Sequence, residues 1–464
     1  MANHERIDLS LEASPVKNYI GGVAADDIPE EMIHRIQSFM DARLAARSTV
    51  LSKSWHRAWL TRPDLDFRDQ YFQFPSIEFP GFALNTLQRY EDRNRRIDSF
   101  RLEMVRIADH YLATKLISKA IRLGATNLTL QIRRSASGLM FFLPYEVLDS
   151  ETLAGFSAHE CLIHLLLFGK KELSWPNLKT LSLSYVVTYG DLFLNLILKC
   201  PSLEKITLDS NVSFRTMYAQ RRLGPSCDSI IKLHKLKSLR LIGLESSKDY
   251  IYRHDLWPKF PCLKELVVWG YDYHSVYDWT GIRICSPSLE LITLYMYDNR
   301  ITNGTFDVPN IRKFKVVGVY LPQLDEFKTS NDRKWESDIQ IKCDQLTVSW
   351  FSSLNKLLRM LSPSRISLSV GVTYSFVGRH TGYFGDGLPI PIVENVLITG
   401  HDRRCFCAFL NALLQSCRPN CISVDTRFIG NVNLEALFQM LGYRPCERHD
   451  LSIYQQYIAK FQLI

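Results

Sequence analysis

Residues 175–184 read Trp-Pro-Asn-Leu-Lys-Thr-Leu-Ser-Leu-Ser, and the template inside them, Leu178-x-x-Leu181-x-Leu183, returns five more times downstream. The later copies start at Leu203 (with Ile206 and Leu208), Leu236 (Leu239, Leu241), Leu263 (Leu266, Val268), Leu289 (Ile292, Leu294) and Ile311 (Phe314, Val316). Successive starts lie 25, 33, 27, 26 and 22 residues apart. Pro176, Pro201, Pro261, Pro287 and Pro309 each stand two residues ahead of a start. The last two apolar positions of each copy are separated by one residue, the spacing that puts both side chains on one side of an extended strand. One copy cannot bury that side alone, so the copies must stack.

The template is that of a leucine-rich repeat of irregular length, and its stacking predicts an α/β solenoid, a horseshoe with parallel strands. Degenerate units extend it. Residues 116–123 read as a helix and 128–132 as a strand; 393–398, 406–414 and 422–428 read as strand, helix and strand, with Phe406, Phe409, Leu410, Leu413 and Leu414 at helical core spacing. In register, the residues between the core positions form rows on the other face of the strands. One row runs Ser184, Asp209, Ile242, Trp269, Tyr295, Val317, and the parallel row Ser182, Thr207, Arg240, Val267, Thr293, Lys315. Neighbouring strands lie ~4.8 Å apart, so Ile242, Trp269 and Tyr295 would form one apolar and aromatic patch, the candidate surface for a protein partner. Cover of Trp269 and Tyr295 by a long inter-repeat loop is the other reading of the same residues.

Ahead of the repeats, residues 26–67 (DDIPEEMIHRIQSFMDARLAARSTVLSKSWHRAWLTRPDLDF) have a helical period. Asp27 followed by Glu30 reads as a capping box, with Pro29 tolerated in the first turn. Met32, Ile33, Ile36, Phe39 and Met40 fall along one stripe of a helix, with Glu31, Arg35 and Gln37 on its other face. Val50, Leu51, Trp55, Ala58 and Trp59 repeat the amphipathic spacing until Pro63 ends it. A helical unit of about 40 residues buries little surface alone, so this many large apolar groups imply closure against a partner or the following domain.

The ordered set Asp27-Ile28-Pro29-Glu30-Glu31, Ile33, Ile36, Phe39, Val50-Leu51-Ser52-Lys53, Trp55, Trp59 and Pro63-Asp64-Leu65-Asp66-Phe67 resembles an F-box. The chain departs from the plant pattern at Asp41, Leu44 and Ser54. Ile97-x-x-Phe100-x-Leu102, Ile117-x-x-Ala120 and Leu143-Pro144 are similar to positions of plant F-box proteins with leucine-rich repeats, and 391–428 is similar to their FBD segment. The resemblance implies the substrate-recognition subunit of a Skp-cullin-F-box ubiquitin ligase. Ile28, Pro29, Ile33, Ile36, Phe39, Val50, Leu51, Trp55 and Trp59 would contact the Skp-type adaptor or hold the helices in docking geometry, and through that adaptor the chain would reach the cullin. Arg43, Arg47, Lys53, Arg57 and Arg62 would steer encounter with an acidic adaptor. The implied organisation is a flexible tail (1–24), the F-box (25–68), the solenoid (69–390) and an FBD-like αβ repeat and cap (391–464). A scaffold with a vestigial F-box and no ubiquitin role is the alternative.

Composition sets the outer limits. The chain has 464 residues, 46% of them hydrophobic, enough for a sizeable core. Its longest apolar stretches fall short of the ~20 residues a membrane-spanning helix needs. Residues 1–23 carry charges and no apolar run, so no secretion signal is expected, and eleven cysteines then read as reduced thiols of the cytoplasm or nucleus. A net charge of +8 is dispersed except at Arg93, Arg95 and Arg96, which argues against nucleic-acid binding. No catalytic, metal or cofactor set is expected. His159 and His164 are five apart instead of the four of a zinc-protease helix, Cys405, Cys407, Cys417 and Cys421 lack a zinc spacing, and Gly378, Gly382, Gly385 and Gly387 run into prolines where a phosphate loop needs a helix. A non-catalytic adaptor is the expectation.

Overall fold

The computed structural model describes residues 19–20, 23–40, 42–72, 78–135, 137–163, 175–189, 197, 199–209, 213–215, 233–242, 260–270, 279–297, 300–330, 334–343, 347–372, 389–400, 406–424 and 460–463. The chain divides into two compact units, Met1–Leu153 and Ala154–Ile464. Most of the expected tail (1–24) and terminal cap (429–464) lies outside the described residues.

In the first unit, helices α1 (Glu30–Ser38), α2 (Ala42–Arg47) and α3 (Lys53–Thr61) lead directly into strand β1 (Asp64–Arg68). Then come α4 (Glu78–Asp92), β2 (Ser99–Met104), α5 (His110–Arg122) and β3 (Asn127–Ile132). The three strands pair in parallel, with Leu65, Phe100 and Leu128 in one register row and Phe67, Leu102 and Leu130 in the next. All six are buried. Parallel neighbours need a crossover, which α4 and α5 supply. The Asp109 carboxylate caps α5 by accepting the Leu112 N–H, and Gly124 at φ +85° turns the chain out of its far end. The helix and strand expected at 116–123 and 128–132 are thus present, the helix longer by a turn and a half at its start. The compact unit runs through the expected boundary at 68, since only two residues separate α3 from β1.

The second unit carries β4 (Gly155–His159), β5 (Thr180–Ser184), β6 (Lys205–Asp209), β7 (Ser238–Ile242), β8 (Glu265–Gly270), β9 (Leu291–Met296) and β10 (Lys313–Gly318). It continues with β11 (Glu336–Cys343), α6 (Val348–Met360), β12 (Arg365–Val372), β13 (Ile392–Gly400), α7 (Phe406–Ser416), β14 (Arg418–Val424) and β15 (Lys460–Leu463). Every adjacent pair is parallel and follows chain order. Leu183, Leu208, Leu241, Val268, Leu294 and Val316 align as one buried row, as the repeat template requires.

The proline that precedes a template also acquires a reason. The N–H groups of Leu178, Leu203, Leu263 and Ile311 bond back to the carbonyls of Trp175, Cys200, Phe260 and Val308, so each proline occupies the second position of a tight turn, where its fixed φ fits. Gly318 closes another tight spot, since a Cβ there would run into the Met296 backbone of β9. The return legs differ from a helix-backed repeat. Arg283–Cys285, Gly304–Asp307 and Leu324–Lys328 form a second parallel ladder, because repeats this short leave an extended return as the economical path. Helices back the longer later repeats instead, at α6 and α7.

Candidate functional site: the helical module

α1 starts at Glu30 with Pro29 at its N-cap and no side chain capping it. The capping box expected from Asp27 and Glu30 does not form. Asp27 belongs to the short 3-10 turn Ala25–Asp27, and the Glu30 carboxylate accepts the Thr61 hydroxyl of α3 at 2.9 Å instead. His34 joins the same staple, with its Nε2 3.0 Å from both the Ala58 carbonyl and the Thr61 hydroxyl. The cap that does form belongs to α3, where Ser52 Oγ accepts the Trp55 N–H at 3.4 Å.

Ala25, Ile33, Trp55 and Ala58 make a closed core, with Ile28, Ile36, Met40 and Leu51 packed against it. The Trp55 ring N–H donates to the Ala25 carbonyl at 3.2 Å, so even its polar atom is satisfied within the chain. Gln37, expected on the outer face, is fully buried: its Nε2 donates to Ser48 Oγ at 3.1 Å and to the Trp55 carbonyl at 3.3 Å. A polar side chain turns inward here because α3 and the turn before it offer it two acceptors.

Outside this core, Met32 is 58%, Phe39 77%, Leu44 50% and Val50 81% exposed. The single stripe expected from Met32 to Met40 therefore splits in two. Each residue advances about 100° around the helix, so Met32, Ile36 and Phe39 follow one line while Ile33 and Gln37 follow another, turned inward. Of the residues expected to meet or brace an adaptor, Pro29, Phe39 and Val50 are exposed, while Ile28, Ile36, Leu51 and Trp59 are half-buried. Ile33 and Trp55 are sealed in the core, a position that fits the second of the two expected roles, holding the helices together, and leaves them no surface for an adaptor. Met32 and Leu44 complete the exposed set, although neither was among the expected contact residues; Met32 was legible as part of the stripe, and Leu44 only as an apolar residue in a charged run. Arg35 lies 5.0 Å from the centroid of the Phe39 ring, and Arg43, Arg47, Lys53 and Arg57 are exposed nearby in sequence. Asp41 lies outside the described residues.

On the open face of the second unit, backbone register puts Ile242 beside Trp269, Trp269 beside Tyr295 and Tyr295 beside Val317. The Ile242 side chain lies outside the described residues. Trp269 and Tyr295 stack at 4.9 Å with 28° between their planes, and Tyr297, which the sequence reading omitted, lies 5.7 Å from Trp269. Both stacked rings are half-buried. Val267 alone in the parallel row is buried.

An F-box/FBD/LRR-repeat protein of Arabidopsis thaliana is 27% identical over 224 residues, which is 48% of this chain and 45% of that relative. Two putative F-box/LRR-repeat proteins of the same plant are 24% identical over 247 residues (49% of this chain, 44% of the relative) and 27% identical over 229 residues (49% and 42%). The chain is a relative of the plant F-box/LRR-repeat proteins. It spans less than half the length of each of these three relatives, and no family model matches it.

His159 sits on strand β4 in ring contact with Tyr185 at 5.1 Å, and Glu160 follows at φ +56°, so the helical spacing of a zinc protease does not arise; His164 lies outside the described residues. No group of three or more potential metal-ligating side chains occurs among the described residues. Cys405 and the four glycines at 378–387 lie outside them, as does the Cys407 side chain. Burial pushes the thiols of Cys161 and Cys417 up to about 12 and that of Cys200 up to about 11, far from a thiolate at neutral pH. No described helix is long and apolar enough to cross a membrane.

Proposed function

We propose that the chain is the substrate-recognition subunit of a Skp-cullin-F-box ubiquitin ligase. It is a non-catalytic adaptor acting in the cytoplasm or nucleus, needing no cofactor, nucleic acid or membrane. The observation that carries the reading is the exposure of Phe39 and Val50 on a helical module whose own core is already complete. Large apolar groups left outside a finished core favour a second protein, and each could contribute about 1.5–3 kcal/mol on burial before ordering costs. Met32 and Leu44 extend that surface, and the exposed arginines around it suit an acidic Skp-type partner that in turn bridges to cullin. The stacked Trp269 and Tyr295, with Ile242 in register beside them, are the proposed grip on the protein to be ubiquitinated.

The test is co-purification with a purified Skp-type adaptor. Phe39→Asp combined with Val50→Asp should abolish capture while leaving the thermal transition in place, because neither side chain supports the core. Undiminished capture by that double variant would defeat the docking assignment. Failure of the unaltered chain to bind any adaptor would leave a repeat scaffold carrying a vestigial F-box.

A further inference from the structure

A cavity of about 290 Å³ opens within the first unit, where the end of α3 runs into β1 and α4 lies alongside. That volume is at the small end for ligand pockets, which run from roughly 300 to 1,000 Å³. Its walls include Trp59, Phe67, Phe72, Phe82 and Tyr90. Phe82 meets Phe67 at 5.7 Å and Phe72 at 5.3 Å, so the rings brace one another around an aromatic chamber.

Arg62 also lines this chamber, and it is only 7% exposed. Its backbone is pinned, since its carbonyl accepts the Tyr90 hydroxyl at 2.8 Å. Its guanidinium makes no hydrogen bond and no ion pair among the described residues. The contrast with Arg68 on the same wall is direct: Arg68 bonds Asp66 at 2.8 Å and lies 3.6 Å from Glu103. Arg89 adds a second incomplete cation, its Nε buried without a partner and its guanidinium 5.7 Å from the Tyr90 ring centroid. Asp64 is the remaining carboxylate in the lining. Burial holds its carboxyl above the ordinary range, and the Arg62 charge offsets that only in part. Counting side chains in the lining, Arg43, Arg62, Arg68 and Arg89 stand against Asp64 and Asp66.

Arg62 is held against apolar walls without a hydrogen-bonded counter-ion, and an anion that supplied one would add a charge-assisted pairing to its apolar contacts. We propose that this cavity is a binding site for a small aryl monocarboxylate, its ring among Trp59, Phe67 and Phe82 and its carboxylate on Arg62. The site is separate from the proposed adaptor surface at Met32, Phe39 and Val50, none of which lines the cavity.

Calorimetric titration of the full chain with naphthoate, and with naphthalene methanol as the uncharged counterpart, tests the assignment. Naphthoate should bind saturably and about tenfold to a hundredfold more tightly than the alcohol. Arg62→Met should erase that preference while the chain stays folded by circular dichroism, because the side chain has no hydrogen bond or ion pair to lose among the described residues and its charge acts on Asp64 only through space. Ala46→Phe, which fills the cavity from the α2 side, should abolish binding of both compounds and decides the matter if Arg62→Met fails to fold. Equal affinities for acid and alcohol, no saturable binding of naphthoate, or unchanged affinity in either folded variant would overturn the proposal.

Discussion

The helical module and the strand stack draw on the same apolar residue types and dispose of them in opposite ways. In the stack, each template position has an apolar counterpart in register one strand away, so Leu183, Leu208, Leu241, Val268 and Leu294 cover one another in turn and all are buried. The module has no neighbouring copy. Its three helices can enclose Ile33, Trp55 and Ala58, but Phe39 and Val50 remain outside that core and largely exposed. A repeat solves its burial problem by translation, whereas a short helical unit solves part of it and leaves the rest exposed. Exposure therefore carries different information in the two places: in the module it marks the surface proposed above for docking, and in the stack it marks the face turned away from the core.

The largest effect should come from breaking the translation. Leu294 of β9 is fully buried in register between Val268 and Val316, and Leu294→Ala should destabilise the fold by about 2–5 kcal/mol. Urea unfolding followed by circular dichroism measures it. A loss well under 1 kcal/mol would mean that the row does not bear on its neighbours, and the contrast drawn above would fail.

A smaller effect belongs to the module's polar centre. Gln37→Leu removes the bonds to Ser48 Oγ and to the Trp55 carbonyl, but it also removes the Gln37 Oε1, which is buried without a partner. The gain offsets part of the loss, and the net destabilisation should be about 1 kcal/mol. Hydrogen exchange should place the faster opening in α1 and α3. Acceleration spread evenly through the strand stack would contradict the independence of the module's core.

How far the fold could be read in advance followed the same division. The repeat start points gave strands β5 to β10 with the correct side inward, because a two-residue period permits only one assignment once one face is buried. The return ladder at residues 283–328 was not legible, since its strands are short and their period carries no template leucine. α4 was hidden by Pro80 and Gly81, which its first turn tolerates. In the module, the helices were legible, but the division of Met32, Ile33, Ile36 and Phe39 between two faces was not, because neighbouring stripes on a helix differ by a rotation that spacing alone does not fix. Gln37 was misplaced for a related reason: its inward position depends on acceptors supplied by Ser48 and Trp55, residues remote in sequence. The Arg62 cavity had no linear signature at all, since its walls come from α2, α3, β1 and α4.

The least disruptive substitution tests the open face of the stack. Trp269 is half-buried, stacks on Tyr295 at 4.9 Å, and has a ring N–H that is buried without a hydrogen-bond partner. Trp269→Phe keeps an aromatic ring in the stack and deletes that N–H, so the lost contact area and the relieved polar atom should nearly cancel, within about 0.5 kcal/mol. Trp269→Ala forfeits the stacking as well, worth about 0.5–1.5 kcal/mol beyond area. Comparing the two by thermal unfolding and by capture of a bound target separates architecture from recognition. Capture lost with Ala and kept with Phe, at nearly equal stability for Phe and the parent, identifies the aromatic pair as a grip. A Trp269→Phe variant as unstable as Leu294→Ala would instead make Trp269 part of the core, and the open face would begin elsewhere.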